Sequence, residues 1–260
     1  MHEDGSVSTP ETLSADQAVA RAVALAGAGG RSVLGIAGAP GAGKSTLARR
    51  VVAEVTAALG PGVAVQVPMD GFHLANAALE ALGRRDRKGA IDTFDASGYV
   101  ALVRRLVVAG ALAAAGAPVA AGAIATAGAS AAAGASDAGG PAVPTTATDP
   151  ADTVWAPDFD RRVDEPVAGS IAVPPETVLV VSEGNYLLDR TAPWHHLPDL
   201  FTETWACVVD DDVRVDRLVG RHMRHGRDHE AARAWAVEVD GVNAARVTAD
   251  LHRASFLVRT

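Results

Sequence analysis

One segment, Gly38-Ala39-Pro40-Gly41-Ala42-Gly43-Lys44-Ser45, restricts the folds open to this chain more than any other. Its pattern, Gly-x4-Gly-Lys-Ser, is that of a P-loop, a glycine-rich turn whose backbone N–H groups surround the phosphates of a nucleotide. In such a loop the lysine contacts the β- and γ-phosphates, and the serine hydroxyl binds Mg²⁺. Lysine occurs at only one other position, 88, among the 23 basic residues, so Lys44 stands out in a chain that otherwise uses arginine.

The sequences on both sides of this segment fit a P-loop. Residues 32–37 form a short apolar run, partly β-branched, which predicts a buried strand. Over residues 46–59 apolar side chains recur at helical spacing, and the run ends at Gly60-Pro61, where a helix stops. The alternative is a chance spacing in a chain with 26 glycines, but chance does not explain a strand, a turn and a helix in this order.

Strand and helix signals alternate along the rest of the chain. Apolar, β-branched runs at residues 63–67, 177–181 and 205–209 predict further strands. Ser14 opens a helical run with capping-box spacing, and Asp95 is placed to cap another helix. Alternation of this kind predicts an α/β fold of the P-loop NTPase type, with a doubly wound, mostly parallel sheet and helices on both faces.

Length and composition predict one interrupted domain. We expect a flexible tail at residues 1–12 and a single domain over residues 13–260, broken by a low-complexity Ala/Gly/Pro insertion at about residues 110–152. The stretch 106–136 has no charged residue and is long enough to span a bilayer. It consists mostly of alanine and glycine, however, so we favour a surface insertion over a membrane span.

Charge and cysteine content limit the kinds of partner and the cellular location that we expect. A formal net charge of −8 provides no long-range attraction for nucleic acid or for an anionic membrane, so we expect neither as a partner. The single cysteine, Cys207, excludes an intramolecular disulfide, and the N-terminus lacks the basic start of a secretion signal. We therefore expect a cytoplasmic protein that acts on a small molecule.

Polar residues after the predicted strands supply the other groups that phosphoryl transfer needs. Ligands of a doubly wound sheet bind at the carboxyl ends of the strands, where Ser45, Asp70 and Glu183 fall. Lys44 would hold the phosphates of ATP, and the hydroxyls of Ser45 and Thr46 would reach Mg²⁺. Glu183 would bind the metal from the second side, and Asp70 would accept the proton of an incoming hydroxyl. The alternatives are a turn residue at position 70 and a helix-capping carboxylate at position 183.

A run of arginines late in the chain predicts a helical lid. Five arginines recur three or four residues apart, along one face of a helix: Arg214, Arg217, Arg221, Arg224 and Arg227. A lid would bring an arginine to the transferring phosphoryl group and exclude water, and we assign the contact to Arg221. The alternative is a solvated face balanced by nearby aspartates. The neighbouring histidines do not predict a zinc site, because no cysteine or strand-end carboxylate completes a ligand set.

Seven ordered segments match the sequence pattern of a known family. They are residues 35–46, Pro68-Met69-Asp70-Gly71-Phe72-His73, Arg87-Lys88-Gly89-Ala90-Ile91-Asp92-Thr93-Phe94-Asp95, Ala156-Pro157-Asp158-Phe159-Asp160-Arg161, Glu165-Pro166-Val167-Ala168-Gly169, Glu183-Gly184-Asn185-Tyr186-Leu187-Leu188 and Arg217-Leu218-Val219-Gly220-Arg221-His222. Together they resemble the P-loop kinases of the uridine kinase, phosphoribulokinase and bacterial pantothenate kinase group. The resemblance covers nearly everything except the tail and the insertion.

The resemblance implies transfer of the γ-phosphoryl group of ATP, with Mg²⁺, to a hydroxyl of a small metabolite. Asp70 matches the family's catalytic aspartate, and Glu183 matches the acidic residue of its Glu-Gly segment. By the same likeness five residues would face the acceptor pocket: His73, Lys88, Asp92, Arg161 and Tyr186.

Several alternatives stay open. Residues 71–73 are Gly-Phe-His where uridine kinases typically have Ser-Phe-Tyr, so a pyrimidine nucleoside is not established as the acceptor. Nucleoside-like acceptors rank first, and pantothenate or a sugar ranks second. An NTP-hydrolysing switch or assembly factor is a different class, but the chain lacks the Asn-Lys-x-Asp segment of guanine-specific switches. The oligomeric state, a homodimer included, is not fixed by the sequence.

Overall fold

A computed structural model describes residues 9–115 and 152–260. Within these residues the strands are β1 (Glu11–Ser14), β2 (Ser32–Gly38), β3 (Ala64–Pro68), β4 (Val154–Asp160), β5 (Glu165–Val173), β6 (Leu179–Gly184), β7 (Glu203–Val208) and β8 (Phe256–Arg259). Six of them form one parallel sheet in the order β1-β8-β7-β2-β6-β3. β4 and β5 form a separate antiparallel hairpin. This topology confirms the predicted α/β fold.

Helices lie on both faces of the sheet. In the same described ranges they are α1 (Ala15–Gly27), α2 (Lys44–Leu59), α3 (Asn76–Ala81), α4 (Ala96–Ala114), α5 (Asp211–Arg224), α6 (His229–Glu238) and α7 (Asp240–Ala249). The predicted cap at Ser14 is confirmed, because its hydroxyl accepts from the Gln17 N–H at 3.2 Å and the Gln17 side chain accepts from the Ser14 N–H at 2.8 Å. Asp95 caps α4 by accepting from the Gly98 N–H at 2.8 Å.

The central strand β2 faces two separate cores. Leu34 and Ile36 pack with α1 and α2, whereas Val33 and Ala37 belong to the core that contains α4. A strand buried on both faces needs apolar residues at every position, which explains the uninterrupted run in the sequence. Packing on both sides fixes β2 and α2, so the loop between them is held rigidly at the carboxyl edge of the sheet.

Two element boundaries differ from the sequence prediction. Residues 11 and 12, predicted as tail, belong to β1, which pairs in parallel with β8 at the edge of the sheet. Residues 110–114, predicted as insertion, are the last turn of α4. Residues 1–8 of the predicted tail and residues 116–151 of the predicted insertion lie outside the described residues.

One described helix, α4, is long and apolar enough to cross a membrane by length and composition alone. Its apolar face is used within the fold, since Tyr99, Leu102, Val103 and Leu106 are buried there. The hydroxyl of Tyr99 also forms a hydrogen bond of 2.7 Å with Ser182 in β6. These contacts pack one face of α4 against the sheet, while Val107 and Val108 on the same helix are exposed.

Candidate active site

The carboxyl edge of the sheet borders a cleft of about 1010 Å³. Residues from the P-loop, the turn between β4 and β5, and the helices α5 and α6 line it together. The predicted site residues found in its lining are Pro40, Gly41, Gly43, Lys44, Ser45, Thr46, Asp70, His73, Lys88, Arg161, Glu183 and Arg221. Three other loop residues, Gly38, Ala39 and Ala42, are buried beneath this surface.

The P-loop conformation depends on glycine. Gly41 has φ +82° and Gly43 has φ +88°, in the left-handed region that other residues rarely adopt. A Cβ at Gly41 would also lie 2.8 Å from the carbonyl oxygen of Arg214, in the first turn of α5. The loop therefore packs directly on α5 and ends at the N-terminus of α2, a position that favours the binding of anions.

Lys44 is held within the loop by two neutral acceptors. Its Nζ donates to the Asn185 side-chain oxygen at 2.7 Å and to the Ala39 carbonyl oxygen at 3.0 Å. Burial lowers the pKa of Lys44, and the negative charges of Glu183 and Asp70 oppose that shift. The ammonium group thus lies beside the cleft with no ion pair to any residue that the structure describes, a position in which it can bind an anionic ligand.

Ser45 and Glu183 form an oxygen-rich pair at the end of β6. The Ser45 hydroxyl donates to Glu183 Oε1 at 2.9 Å. Burial raises the pKa of Glu183, and the charge of Asp70 raises it further. Hydroxyl and carboxylate oxygens are the ligands that Mg²⁺ prefers, and a bound cation would stabilise the ionised form of Glu183. The pair therefore fits a magnesium ion by its chemistry.

The described residues contain no group of three or more His, Cys, Asp or Glu side chains that could hold a metal by themselves. Mg²⁺ typically binds through one or two carboxylates together with phosphate oxygens and water.

Asp70 lies in a 3-10 turn directly after β3, with its carboxylate 36% exposed to the cleft. Its Oδ2 lies 3.6 Å from the guanidinium of Arg161. The β4–β5 hairpin rests on this turn, because a Cβ at Gly71 would lie 2.4 Å from the Pro157 carbonyl oxygen. The hairpin therefore carries Arg161 to Asp70.

His73 has a defined protonation state next to Asp70. Its Nδ1 lies 2.8 Å from the Asp70 carbonyl oxygen, which can only accept, so Nδ1 carries the proton. Burial lowers the pKa of His73, which keeps the ring neutral near pH 7. A neutral ring protonated at Nδ1 has a hydrogen-bond acceptor at Nε2.

Two residues predicted to face the acceptor do not line the cleft. Asp92 forms ion pairs with Arg87 at 2.5 Å and with Arg84 at 3.4 Å. Tyr186 is 1% exposed, and its hydroxyl lies 2.7 Å from the Gly89 carbonyl oxygen and 3.1 Å from the Asn243 side-chain oxygen. Gly89 and Asn243 line the cleft in place of Tyr186, so Tyr186 supports the lining from behind.

The predicted lid arginines divide into two groups. Arg214 is buried and lies 3.5 Å from the Pro40 carbonyl oxygen, so it supports the P-loop from beneath. Arg217, Arg221, Arg224 and Arg227 line the cleft. Arg227 also lies over the ring of Trp235 in α6, at 3.9 Å. The four arginines after Arg214 are therefore the ones placed to reach a ligand in the cleft.

Sequence reasoning gave no separate role to Asn185 and Asp164, which both line the cleft. Asn185 follows Glu183 by two residues, and its position just beyond a strand end was a usable signal. Asp164 lies in the β4–β5 turn, whose strands the sequence analysis did not identify.

Comparison with known proteins shows which proteins this chain is similar to. No protein-family model matches the chain. The Schizosaccharomyces pombe protein named "Putative uridine kinase C227.14" is 29% identical over 227 residues, which cover 85% of this chain and 78% of that protein. "ATP-dependent kinase-like protein notR'" from Aspergillus versicolor is 30% identical over 182 residues, 68% of this chain and 84% of that protein.

A solved structure also matches over nearly its full length. The "putative fructose transport system kinase" from Silicibacter sp. TM1040 has a TM-score of 0.66 and 30% identity, and the match covers 91% of this chain and 98% of that one. The P-loop, the parallel sheet and these relatives all indicate the same protein family. The chain belongs to the P-loop kinases.

Proposed function

We propose that this protein transfers the γ-phosphoryl group of ATP to a hydroxyl group of a small metabolite, with Mg²⁺ as the metal. One observation carries the proposal: a cationic P-loop and two carboxylates meet in a single cleft. Lys44 and the Ser45–Glu183 pair lie on the nucleotide side, and Asp70 is close enough to affect the pKa values of both Lys44 and Glu183. Phosphoryl transfer needs mainly positioning and charge stabilisation, which these groups would supply.

In the proposed reaction a bond forms between the acceptor oxygen and the γ-phosphorus, while the bond from that phosphorus to the bridging oxygen of ADP breaks. Lys44 and the loop N–H groups would hold the phosphate oxygens, and Asp70 would take the proton from the acceptor hydroxyl. Arg221 would neutralise charge on the transferring group. When bound, Mg²⁺ would neutralise phosphate charge, and Ser45 and Glu183 are the residues that would hold it.

The polar groups around Asp70 favour an acceptor with more than one hydroxyl. His73, which lines the cleft beside Asp70, has a hydrogen-bond acceptor at Nε2. A second hydroxyl of the substrate could donate to it while the first approaches Asp70. Nucleoside-like acceptors rank first, in line with the uridine kinase name of one relative. Pantothenate or a sugar ranks second, and the name "fructose transport system kinase" of the solved structure is in line with a sugar.

An acceptor screen tests this function. Purified protein is incubated with ATP and Mg²⁺, and ADP release is measured with nucleosides, sugars and pantothenate added one at a time, with Lys44→Ala as the inactive control. We expect ADP release above background with a hydroxyl compound, and a phosphorylated product by mass spectrometry. Equal ADP release with and without every acceptor would instead favour an NTP-hydrolysing switch. We further propose a cytoplasmic location, where ATP and such metabolites meet.

A further inference from the structure

Lys88 is fixed at the base of the β4–β5 turn. Its Nζ donates to the carbonyl oxygen of Asp164 at 2.6 Å, to the carboxylate of Asp164 at 3.0 Å and to the Asn76 side-chain oxygen at 2.7 Å. An ammonium group has three N–H donors, so these acceptors use all of them. The ammonium also lies 4.8 Å from the ring centre of Phe159 in β4, and the side chain is 9% exposed.

The turn that Lys88 holds has a backbone conformation that needs support. Asp164 has φ +54°, the only positive φ of a residue other than glycine in residues 9–115 and 152–260. A residue other than glycine adopts this region at a cost in free energy, which is smaller for Asp than for most residues, so contacts that hold the turn stabilise it. Arg85 also pairs with the Asp164 carboxylate at 3.0 Å, but its side chain is 44% exposed. Lys88, with its side chain 9% exposed, is the more buried of these two cations.

The same turn carries Arg161 to the reacting end of the cleft. Arg161 lies 3.6 Å from the Asp70 carboxylate, and the two side chains are 57% and 36% exposed. An ion pair as exposed as this one contributes little by itself and would not hold the arginine in place. The position of Arg161 opposite Asp70 therefore depends on the turn, and the turn depends on Lys88.

We infer that Lys88 is a positioning residue, which fixes the β4–β5 turn so that Arg161 faces Asp70, and that it makes no hydrogen bond to the phosphate acceptor. Its effect on catalysis rests on the proposed function, whereas its effect on the turn does not. The inference replaces the role suggested by family resemblance, in which Lys88 contacts the acceptor.

Hydrogen–deuterium exchange tests the conformational part without any substrate. Lys88→Met should speed exchange in a peptide covering residues 158–167 by roughly tenfold, with no change in β2 or β6. Lys88→Arg should restore most of the protection. Arg85→Met is the matched control, because it removes an exposed cation from the same carboxylate of Asp164, and it should change exchange in this peptide much less.

Unchanged exchange in a folded Lys88→Met protein would overturn the inference. So would an equal effect of Arg85→Met. If Lys88→Met does not fold, Asn76→Ala provides the same test from the other side of the contact. Asn76 accepts from Lys88 and donates to the Asp164 carbonyl oxygen at 3.0 Å, so its loss should also speed exchange in this peptide.

A kinetic cycle tests the link to Arg161. Lys88→Met and Arg161→Met should each lower kcat/KM for the acceptor by roughly tenfold, and the double variant should be no worse than either single one. The KM for ATP should not change. Losses that multiply in the double variant would mean that Lys88 acts independently of Arg161, which contradicts the inference. If the wild-type protein phosphorylates no acceptor, the proposed function fails, and the exchange experiment still decides the role of Lys88.

Discussion

Asp70→Asn tests whether Asp70 is the general base without changing the other groups that line the cleft. The substitution keeps the size of the side chain and removes its ability to accept a proton. General-base catalysis typically contributes a factor of about 10² to 10⁴, so we expect kcat to fall by at least about a hundredfold, or about 3 kcal/mol in the barrier. ATP binding should remain, because the P-loop contacts are made by other residues.

The structure also sets a limit on the effect of Asp70→Asn on folding. The Asp70 carboxylate has one ion pair in the described residues, with exposed Arg161 at 3.6 Å, and such pairs contribute at most about 1 kcal/mol. The hydrogen bond from His73 goes to the backbone carbonyl of Asp70, which the substitution leaves in place. The free energy of unfolding should therefore fall by no more than about 1 kcal/mol.

The assay measures ADP release at saturating ATP and acceptor, with the dissociation constant of ATP and urea unfolding measured on the same samples. Asp86→Asn is a matched control, because Asp86 is an exposed residue outside the cleft lining. A kcat within about threefold of the wild-type value would remove Asp70 from the mechanism. A lower kcat accompanied by an equally large loss of folded protein would show a structural role instead.

Three further outcomes are expected. Lys44→Ala should abolish transfer and weaken ATP binding while the protein stays folded, as checked by circular dichroism; wild-type ATP affinity in this variant would contradict the assigned role. Gly41→Ala should destabilise the protein by roughly 2 kcal/mol more than Gly62→Ala, because both glycines have positive φ but only a Cβ at Gly41 meets other atoms; equal losses in urea unfolding would argue against the close packing on α5. Burial lowers the pKa of His73 in the folded protein, so as the pH drops the unfolded state binds a proton at this histidine before the folded state does. The free energy of unfolding should therefore fall below about pH 6.5, by at most about 1.4 kcal/mol per pH unit. His73→Gln should remove that part of the acid sensitivity, and an unchanged pH dependence of unfolding would show that His73 does not cause it.

Local sequence signals were sufficient to predict the P-loop and the strand and helix on either side of it. β2 covers residues 32–38 and α2 covers residues 44–59, each within two residues of the strand predicted at 32–37 and the helix predicted at 46–59. Signals of this kind succeed because strand burial, glycine turns and helix caps each involve residues that are close together in the chain. Glu183 and Asp70 were placed correctly relative to the strands for the same reason. Their roles as metal ligand and base remain predictions.

The acceptor side was harder to predict, because its contacts are distant in sequence. Lys88 meets Asp164 across 76 residues of chain, and Tyr186 meets Asn243 across 57. Family resemblance suggested that Lys88, Asp92 and Tyr186 face the acceptor. In the structure Lys88 is bonded to the hairpin turn, and the other two residues lie outside the cleft lining. The short edge strand β1 was also missed, since four residues carry little periodic signal.

The P-loop half of the cleft could be predicted from the sequence, because a P-loop is one continuous segment whose backbone conformation depends on its own glycines. The other half could be described only from the folded chain, since the hairpin, the lid arginines and α7 come together only after folding. Folding also determines which polar side chains near the cleft have atoms free to bind a ligand, and which use those atoms in hydrogen bonds within the protein. Hydrogen bonds between distant segments, such as those of Lys88, leave no periodic trace in the sequence.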